Sequence, residues 1–459
     1  MHYACPTCHN ALSIAPNKNG QQYECNDCKT VFPEIANVPL LWSRPNEALL
    51  DWRNKLNLTL SETEEQISKL QIALNKPVPI DATKQRLHHL HAHYCSYLEQ
   101  LRRLFAPFKP GEPLARELHN ALGTAILSHH GALSYAPQIF RDWAWQNGSA
   151  SENQSVLNYL VSKLAEFTTT QSRVLVLGCG AGRLVYDLAL HLQPEEVVGL
   201  DANPVLTHIA QQLVDGKGFE LIEFPIAPIT PADFAVNHTL SAPTQSTKLN
   251  LQFVCADALN PPFAANQFDI VITPWLVDVI DAPLTAVMQS VAAVLKTDGI
   301  WLCHGSLAFS GDVLNRLDHA EVVELTGQNG FDVLSWENQW LPYLQSPHSR
   351  NHRQEQVFTQ VAQLTQALGF AKQPTRSVPK WITDPNQPVP LLPQFQTQLT
   401  STRIHAFIMG LVDGKRDVNA MAEVLEQQRL MPKTQAKQAI QGFLKKMYEE
   451  AKTASGHGA

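Results

Sequence analysis

Arg173-Val-Leu-Val-Leu-Gly178-Cys-Gly180-Ala-Gly182-Arg183, followed by Val197-Val-Gly-Leu-Asp201, decides the fold of this chain. An apolar, β-branched run enters a glycine turn, a helical pattern follows, and a second apolar run ends in an acid. Glycines let backbone N–H groups approach a ligand closely at a helix N-terminus, and an acid at the tip of the next strand suits the two hydroxyls of a ribose. The spacing is Gly-x-Gly-x-Gly with Arg183 in the sixth position, so the dinucleotide fingerprint Gly-x-Gly-x-x-Gly is broken. The break favours a nucleoside ligand without a pyrophosphate.

Working outward, the alternation of strand and helix patterns continues from 173 to about 372. Strands are expected at 173–177, 197–200, 251–255, 268–272, 300–303 and 331–336, with a last one near 356–362. Helices fit 182–192, 204–214, 284–295 and 318–329. This order argues for an α/β fold with a doubly wound, mostly parallel, Rossmann-like sheet. Residues 224–248 interrupt it with prolines, threonines and serines, as an insertion that could cover the site.

Further features fall at the carboxyl edge of that sheet, where open sheets bind ligands. Asp257 and Ala258 end the third strand, where an acid beside a backbone amide can read an adenine. Phe268-Asp-Ile-Val-Ile-Thr-Pro274-Trp275 ends the fourth, with Asp278 three residues on. Gln138-Ile-Phe-Arg141-Asp-Trp143-Ala-Trp145 precedes the sheet as a compact aromatic and charged cluster. Asp201 and Asp257 also suit plain turn positions, Asp278 could cap the following helix, and the two tryptophans could simply anchor helices to the sheet. Taken together in chain order, the features point to S-adenosylmethionine (SAM) rather than NAD.

The flanks carry their own signals. Cys5, Cys8, Cys25 and Cys28 form two Cys-x-x-Cys pairs with sixteen residues between them. Two thiolate pairs on knuckle turns supply the closed tetrahedral site that structural zinc prefers, and so short a segment needs the metal to fold. Residues 46–135 read as helices, with Ser61-x-x-Glu64 as a capping box and a second apolar stripe from Leu87 to Leu104. Residues 374–395 are proline-rich and form a linker or wrapping arm. Residues 396–459 resume short helices around Val412-Asp-Gly-Lys-Arg-Asp417. The expected organisation is a ribbon at 1–45, a helical region at 46–135, the sheet domain at 136–373, a linker at 374–395 and a small C-terminal module at 396–459.

Composition sets bounds on function. The 459 residues are 44% hydrophobic and 17% charged, with a formal net charge of −7. That balance suits a globular protein and argues against a broad phosphate-binding surface, so nucleic acid is an unlikely partner. The N-terminus lacks an apolar leader and no run of about 18 apolar residues occurs, so no membrane association is expected. Four scattered cysteines outside the ribbon fit a reducing compartment, and the expected location is cytoplasmic.

On Gln138-x-x-Arg141-Asp-Trp143, the glycine turn through Leu184, Ala256-Asp257, the strand end Val271-Ile-Thr-Pro-Trp-Leu-Val-Asp278 and Gly299-Ile-Trp301-x-x-x-Gly305-Ser-Leu307, residues 125–365 resemble the carnosine N-methyltransferases. Those are SAM-dependent methyltransferases of the class I fold. The resemblance implies that Gln138 and Arg141 hold the methionine part of SAM and that Gly178, with Gly180 and Gly182 in the same turn, lies beneath it. It also implies that Asp201 takes the ribose, Asp257 and Ala258 the adenine, and that Pro274 lines the pocket. Asp278 takes the place of the acid that orients a substrate imidazole. The chain departs from the family at Gly305-Ser-Leu-Ala-Phe-Ser310, where the family has a histidine, and at Asn351-His-Arg-Gln354, where it has a tyrosine-rich run. The ribbon, with Val38-Pro-Leu-Leu-Trp42, resembles the small zinc ribbons that partner or precede tRNA, rRNA and release-factor methyltransferases. The C-terminal module resembles a winged-helix or peptide-recruiting module of the pyrroloquinoline-quinone-biosynthesis type.

These readings imply SAM-dependent N-methylation of an imidazole or amine nitrogen in a histidine-like small molecule, a peptide or a protein, with a protein partner possible through the ribbon or the C-terminal module. RNA base methylation and a non-catalytic SAM- or peptide-binding scaffold are the competing functions.

Overall fold

The computed structural model describes residues 3–17, 20–110, 132–133, 135–145, 151–243, 249–310, 312–366, 369–370 and 386–455. They fall into two compact units, Met1–Ala371 and Lys372–Ala459.

The first unit is built on a seven-stranded sheet. Five strands run parallel: β5 (Arg173–Leu177), β6 (Glu196–Asp201), β9 (Leu251–Cys255), β10 (Phe268–Pro274) and β11 (Leu295–Gly305). Two long antiparallel strands, β12 (Phe331–Tyr343) and β13 (Arg353–Leu364), complete the order β12-β13-β11-β10-β5-β6-β9. The parallel strands are buried on both faces, which explains their continuous apolar runs. Helices α4 (Glu152–Leu164), α5 (Arg183–Leu192), α6 (Pro204–Val214), α7 (Leu284–Val294) and α8 (His319–Gln328) accompany them. One core cluster gathers Leu175, Leu177 and Val271 with Val291 and Trp301, and a second gathers Val174, Val176 and Ile272 with Leu157 and Leu188. Alternate residues of β5 therefore feed opposite cores, as a doubly wound sheet requires.

The glycine turn directly follows β5, at the carboxyl ends of the parallel neighbours β5 and β6. Gly178 and Cys179 both donate N–H to Leu200 O, at 2.8 and 3.0 Å, and Asn203 caps α6 through its side chain. Ahead of the sheet lie α1 (Pro45–Leu74), α2 (Asp81–Phe105) and α3 (Ala136–Trp143). Helix α1 is continuous through Ser61 and Glu64, so the capping box read there does not form; interior N–H groups already have carbonyl partners.

The ribbon is a four-stranded sheet of β1 (Ser13–Asn17), β2 (Gly20–Glu24), β3 (Val31–Ile35) and β4 (Val38–Pro39). It sits on the open edge of the large sheet. Leu40 forms a parallel bridge with Cys255, Leu41 N–H donates to Cys255 O at 2.8 Å, and Ala4 N–H donates to Pro262 O at 2.9 Å. Tyr3, Cys5, Cys25, Phe32 and Leu41 are buried in the same core as Leu200 and Val254. The edge strand β9 is thus covered rather than left as an open template.

The insertion and the strand before it form a hairpin, β7 (Phe219–Glu223) preceding the insertion and β8 (Val236–Leu240) lying within it. It clasps the turn between β12 and β13: Ser346 Oγ donates to Glu223 at 2.6 Å, and His348 shares a 2.7 Å hydrogen bond with Asp233. None of residues 224–243 lines the cavity described below, so the expected cover over the site is not what its described part provides.

The second unit packs α9 (Pro393–Gly410), α10 (Val418–Gln427) and α11 (Lys433–Ser455) around Ile408, Met421, Leu425, Ala436 and Ile440. No strand occurs among its described residues, so a wing is not part of them. Asp413 accepts the N–H groups of Lys415 and Arg416, and Asp417 caps α10. Most of the proline-rich stretch, 374–385, lies outside the described residues.

Candidate active site

At the carboxyl edge of β5, β6 and β10 the sheet opens into a cavity of about 560 Å3. Gln138 and Arg141 reach it from α3, and Gly178, Gly180 and Asp201 from the glycine turn and the tip of β6. Asp257 and Ala258 come from the end of β9, Pro274 and Asp278 from the end of β10. Nine of the ten residues read from the sequence as a cofactor and acceptor site therefore share one wall-to-wall space.

Gly182 is the exception. It lies under α5 with φ +87°, and a Cβ there would meet Ala210 Cβ at 2.5 Å and the Phe253 ring at 2.7 Å. Its missing side chain serves packing. Gly180, at φ +55°, has nothing within 4 Å of where a Cβ would stand. That open space adjoins the cavity and suits close approach of a ligand. Arg183, which broke the fingerprint, is a tie: it donates to Asp142 O at 2.8 Å and to Asp187 at 2.7 Å.

Asp201 is held by backbone. Its carboxylate accepts Gly180 N–H at 2.9 Å and Asn203 N–H at 2.8 Å. Burial pushes its pKa up, and those N–H bonds pull it only part of the way back. Arg141 is bound to Asp142 at 2.8 Å, with Glu152 at 3.6 Å. Burial would discharge the guanidinium, but the two carboxylates hold its pKa above the ordinary value. Trp143 donates its indole N–H to Ala181 O at 2.8 Å, which fastens α3 to the glycine turn. Gln138 Oε1 is buried with no hydrogen-bond partner, an acceptor for a donor that a ligand would bring.

Asp257 is exposed and accepts Leu259 N–H at 2.9 Å, so it forms the turn that was its plain reading while also lining the cavity. Asp278 does not cap the next helix, which starts at Leu284 behind Pro283. Its carboxylate accepts Ala308 N–H at 2.7 Å and Ser306 Oγ–H at 3.2 Å. The segment where the expected histidine is missing therefore supports this acid. His304 is fully buried, shares a 2.8 Å hydrogen bond with Thr359, and packs edge-on against Trp275 at 4.7 Å. Burial pushes its pKa down to about 3, so it stays neutral.

Several lining residues gave no signal in the sequence. Trp52 and Lys55 come from α1, and Tyr343, Arg353 and Glu355 from β12 and β13. Only pairing across the sheet brings the last three within reach of the glycine turn.

The second candidate site is the ribbon. The four Sγ atoms of Cys5, Cys8, Cys25 and Cys28 lie within 4.8 Å of one another, with Cys8 to Cys25 at 3.5 Å and Cys5 to Cys28 at 3.9 Å. A tetrahedral zinc with bonds of ~2.3 Å sets its sulfurs roughly 3.8 Å apart. The cluster is compatible with that ion.

Residues 149–374 match the family model described as a methyltransferase domain. No curated protein sequence matches the chain. Among solved structures, a putative methyltransferase from Bacillus halodurans is similar at 13% identity over 46% of this chain and 98% of that one, with a TM-score of 0.33. A SAM-dependent methyltransferase from Methanosarcina mazei gives 14% identity over 44% and 96%, with a TM-score of 0.32. A complex of the Haloferax volcanii Trm112 methyltransferase activator with a putative methyltransferase gives 14% over 51% and 96%, with a TM-score of 0.34. The family match spans the large sheet and most of the residues around its cavity, so the chain carries a methyltransferase domain whose family implies SAM as the methyl donor.

Proposed function

We propose that the enzyme methylates nitrogen, on an imidazole or amine of a small molecule, a peptide or a protein. The observation that carries this reading is Asp278, a carboxylate lining the same cavity as Gln138 and Asp201 and fixed by Ser306 and Ala308. SAM, when bound, supplies a methyl group on a sulfonium. Gln138 and Arg141 would hold its methionine end, Asp201 its ribose, Asp257 and Ala258 its adenine, with Gly178, Gly180 and Pro274 forming the bed. The orphaned Gln138 Oε1 and the open space over Gly180 fit such a ligand.

A nitrogen nucleophile needs a free lone pair in line with the methyl, so positioning supplies most of the rate. Asp278 would accept the far N–H of an imidazole, fix its tautomer and leave the other nitrogen unprotonated. In the ribbon we infer a structural zinc on Cys5, Cys8, Cys25 and Cys28, and either the ribbon or the C-terminal unit offers a surface to a protein partner. Outside the ribbon, Cys95, Cys179, Cys255 and Cys303 form no disulfide, which suits a cytoplasmic location.

Two variants test the assignment. Asp201→Ala is expected to abolish SAM binding in calorimetry. Asp278→Ala should bind SAM normally and lose transfer of labelled methyl to host lysate. Full transfer by the Asp278 variant would sink its role, and label recovered solely in RNA would sink the choice of acceptor.

A further inference from the structure

Strands β12 and β13 bring Tyr343, Arg353 and Glu355 to the cavity, and the cofactor uses none of them in the assignment above. The Glu355 side chain is 7% exposed, accepts the Trp275 indole N–H at 3.2 Å, and is ion-paired with Arg353. Arg353 is its opposite. Its side chain is 63% exposed, and its guanidinium lies 5.0 Å from the centre of the Tyr343 ring. The rings of Trp275 and Tyr343 are 5.6 Å apart.

This asymmetry has a chemical consequence. A guanidinium that already faces water leaves its partner at little cost. Its departure would leave a buried carboxylate, held among the described residues by an indole N–H, beside two aromatic faces. A carboxylate with flanking π faces binds ammonium, guanidinium or imidazolium groups. The aromatic wall is also firmly set. Trp275 sits at φ 44°, rare for a bulky residue, and is kept there by a 2.6 Å hydrogen bond from its N–H to His304 O and by the buried His304 ring.

We propose that Glu355, with Trp275 and Tyr343, is the subsite for a cationic group of the acceptor, and that Arg353 fills this subsite until the acceptor displaces it. The inference rests on the N-methylation reading: the far N–H of the reacting imidazole goes to Asp278 and a second, positive group goes to Glu355. The preferred acceptor is therefore a diamine-like molecule or a basic side chain next to another, rather than a carboxylic acid.

The test uses the whole chain saturated with S-adenosylhomocysteine and two probes that share an imidazole, histamine and imidazole-4-propionate. Calorimetry at neutral pH should give histamine the tighter binding by at least about tenfold. Glu355→Gln should bring that ratio close to one, and Arg353→Ala should tighten histamine. The ratio is self-normalising, since a folding defect would weaken both probes alike. Equal affinities in the parent enzyme, no histamine binding, or an unchanged ratio in Glu355→Gln would overturn the subsite. Weaker histamine binding by Arg353→Ala would overturn the displacement. If the ratio holds while neither probe accepts a methyl group under turnover with SAM, the N-methylation of such rings fails and the cation subsite stands.

Discussion

Gly180 and Gly182 are two residues apart in one turn, and substitution by alanine should expose opposite duties. At Gly182 the new Cβ would stand 2.5 Å from Ala210 Cβ and 2.7 Å from the Phe253 ring, with φ at +87°. The left-handed backbone costs an L-residue about 1–2 kcal/mol. Overpacking between α6 and β9, neither of which can yield easily, adds about 1–3 kcal/mol. Gly182→Ala should therefore lose about 2–5 kcal/mol, a large share of the ~5–15 kcal/mol that holds a domain together. At Gly180 the Cβ would meet no protein atom within 4 Å, so only the backbone term of about 1–2 kcal/mol applies. There the methyl would project into space assigned to SAM, and affinity should fall at least about tenfold. Urea unfolding followed by tryptophan fluorescence, with SAM calorimetry on the same samples, reads both effects. A loss below about 1 kcal/mol for Gly182→Ala would refute the packing argument. Unchanged SAM affinity in Gly180→Ala would refute the assignment of the open space.

Replacing Cys5 and Cys8 by serine removes half of the thiolate set; atomic absorption should find one zinc per parent chain and none in the variant. Because Leu41 is hydrogen-bonded to Cys255, two residues before Asp257, the variant should also bind SAM more weakly, and a metal-free variant with parental affinity would disprove that link. A separate expectation concerns acid. Burial acts to raise the pKa of Glu223, but hydrogen bonds from His238, Ser346 and Trp145 outweigh it and leave the pKa lowered. A depressed carboxyl contributes stability that is complete above its unfolded value of about 4.3 and is lost as pH falls through the folded value. Acid titration with Trp145 fluorescence as reporter should show the insertion releasing the β12–β13 turn below that range, and Glu223→Gln should remove the transition.

The parallel half of the sheet was legible because its strands are buried on both faces and carry unbroken apolar runs such as Val174 to Leu177. Their carboxyl ends carry glycine, proline or aspartate, so the pattern pointed to the sheet edge, and the family resemblance picked out Gly178, Asp201, Asp257 and Pro274, which line the cavity. The Ser61–Glu64 box misled for a physical reason: its pattern is a statement about free N–H groups, and whether those exist depends on a helix start that α1 puts sixteen residues earlier, at Pro45. Similarly, Gly182 belongs to the motif by spacing, yet its duty is decided by Ala210 and Phe253, which only the folded sheet brings near.

Beyond the methyl group, legibility fails at the antiparallel strands. β12 begins on the far edge of the sheet and runs thirteen residues, well past the expected 331–336, because pairing with β13 from Phe331 to Tyr343 extends it. That extension carries Tyr343, Arg353 and Glu355 from an outer hairpin to the cavity mouth. No local pattern marks them, since an Arg and a Glu two residues apart on a strand are ordinary surface composition. What distinguishes them is the contrast in exposure, 63% against 7%, and the indole N–H that a strained Trp275 delivers to Glu355. Asp278 was marked by its motif, whereas the proposed choice of acceptor would depend on how the β12–β13 hairpin meets the cavity. Exchanging Arg353 and Glu355 in a double variant should accordingly invert the preference between histamine and imidazole-4-propionate. A preference that kept its sign would mean that the pair is not what selects the acceptor.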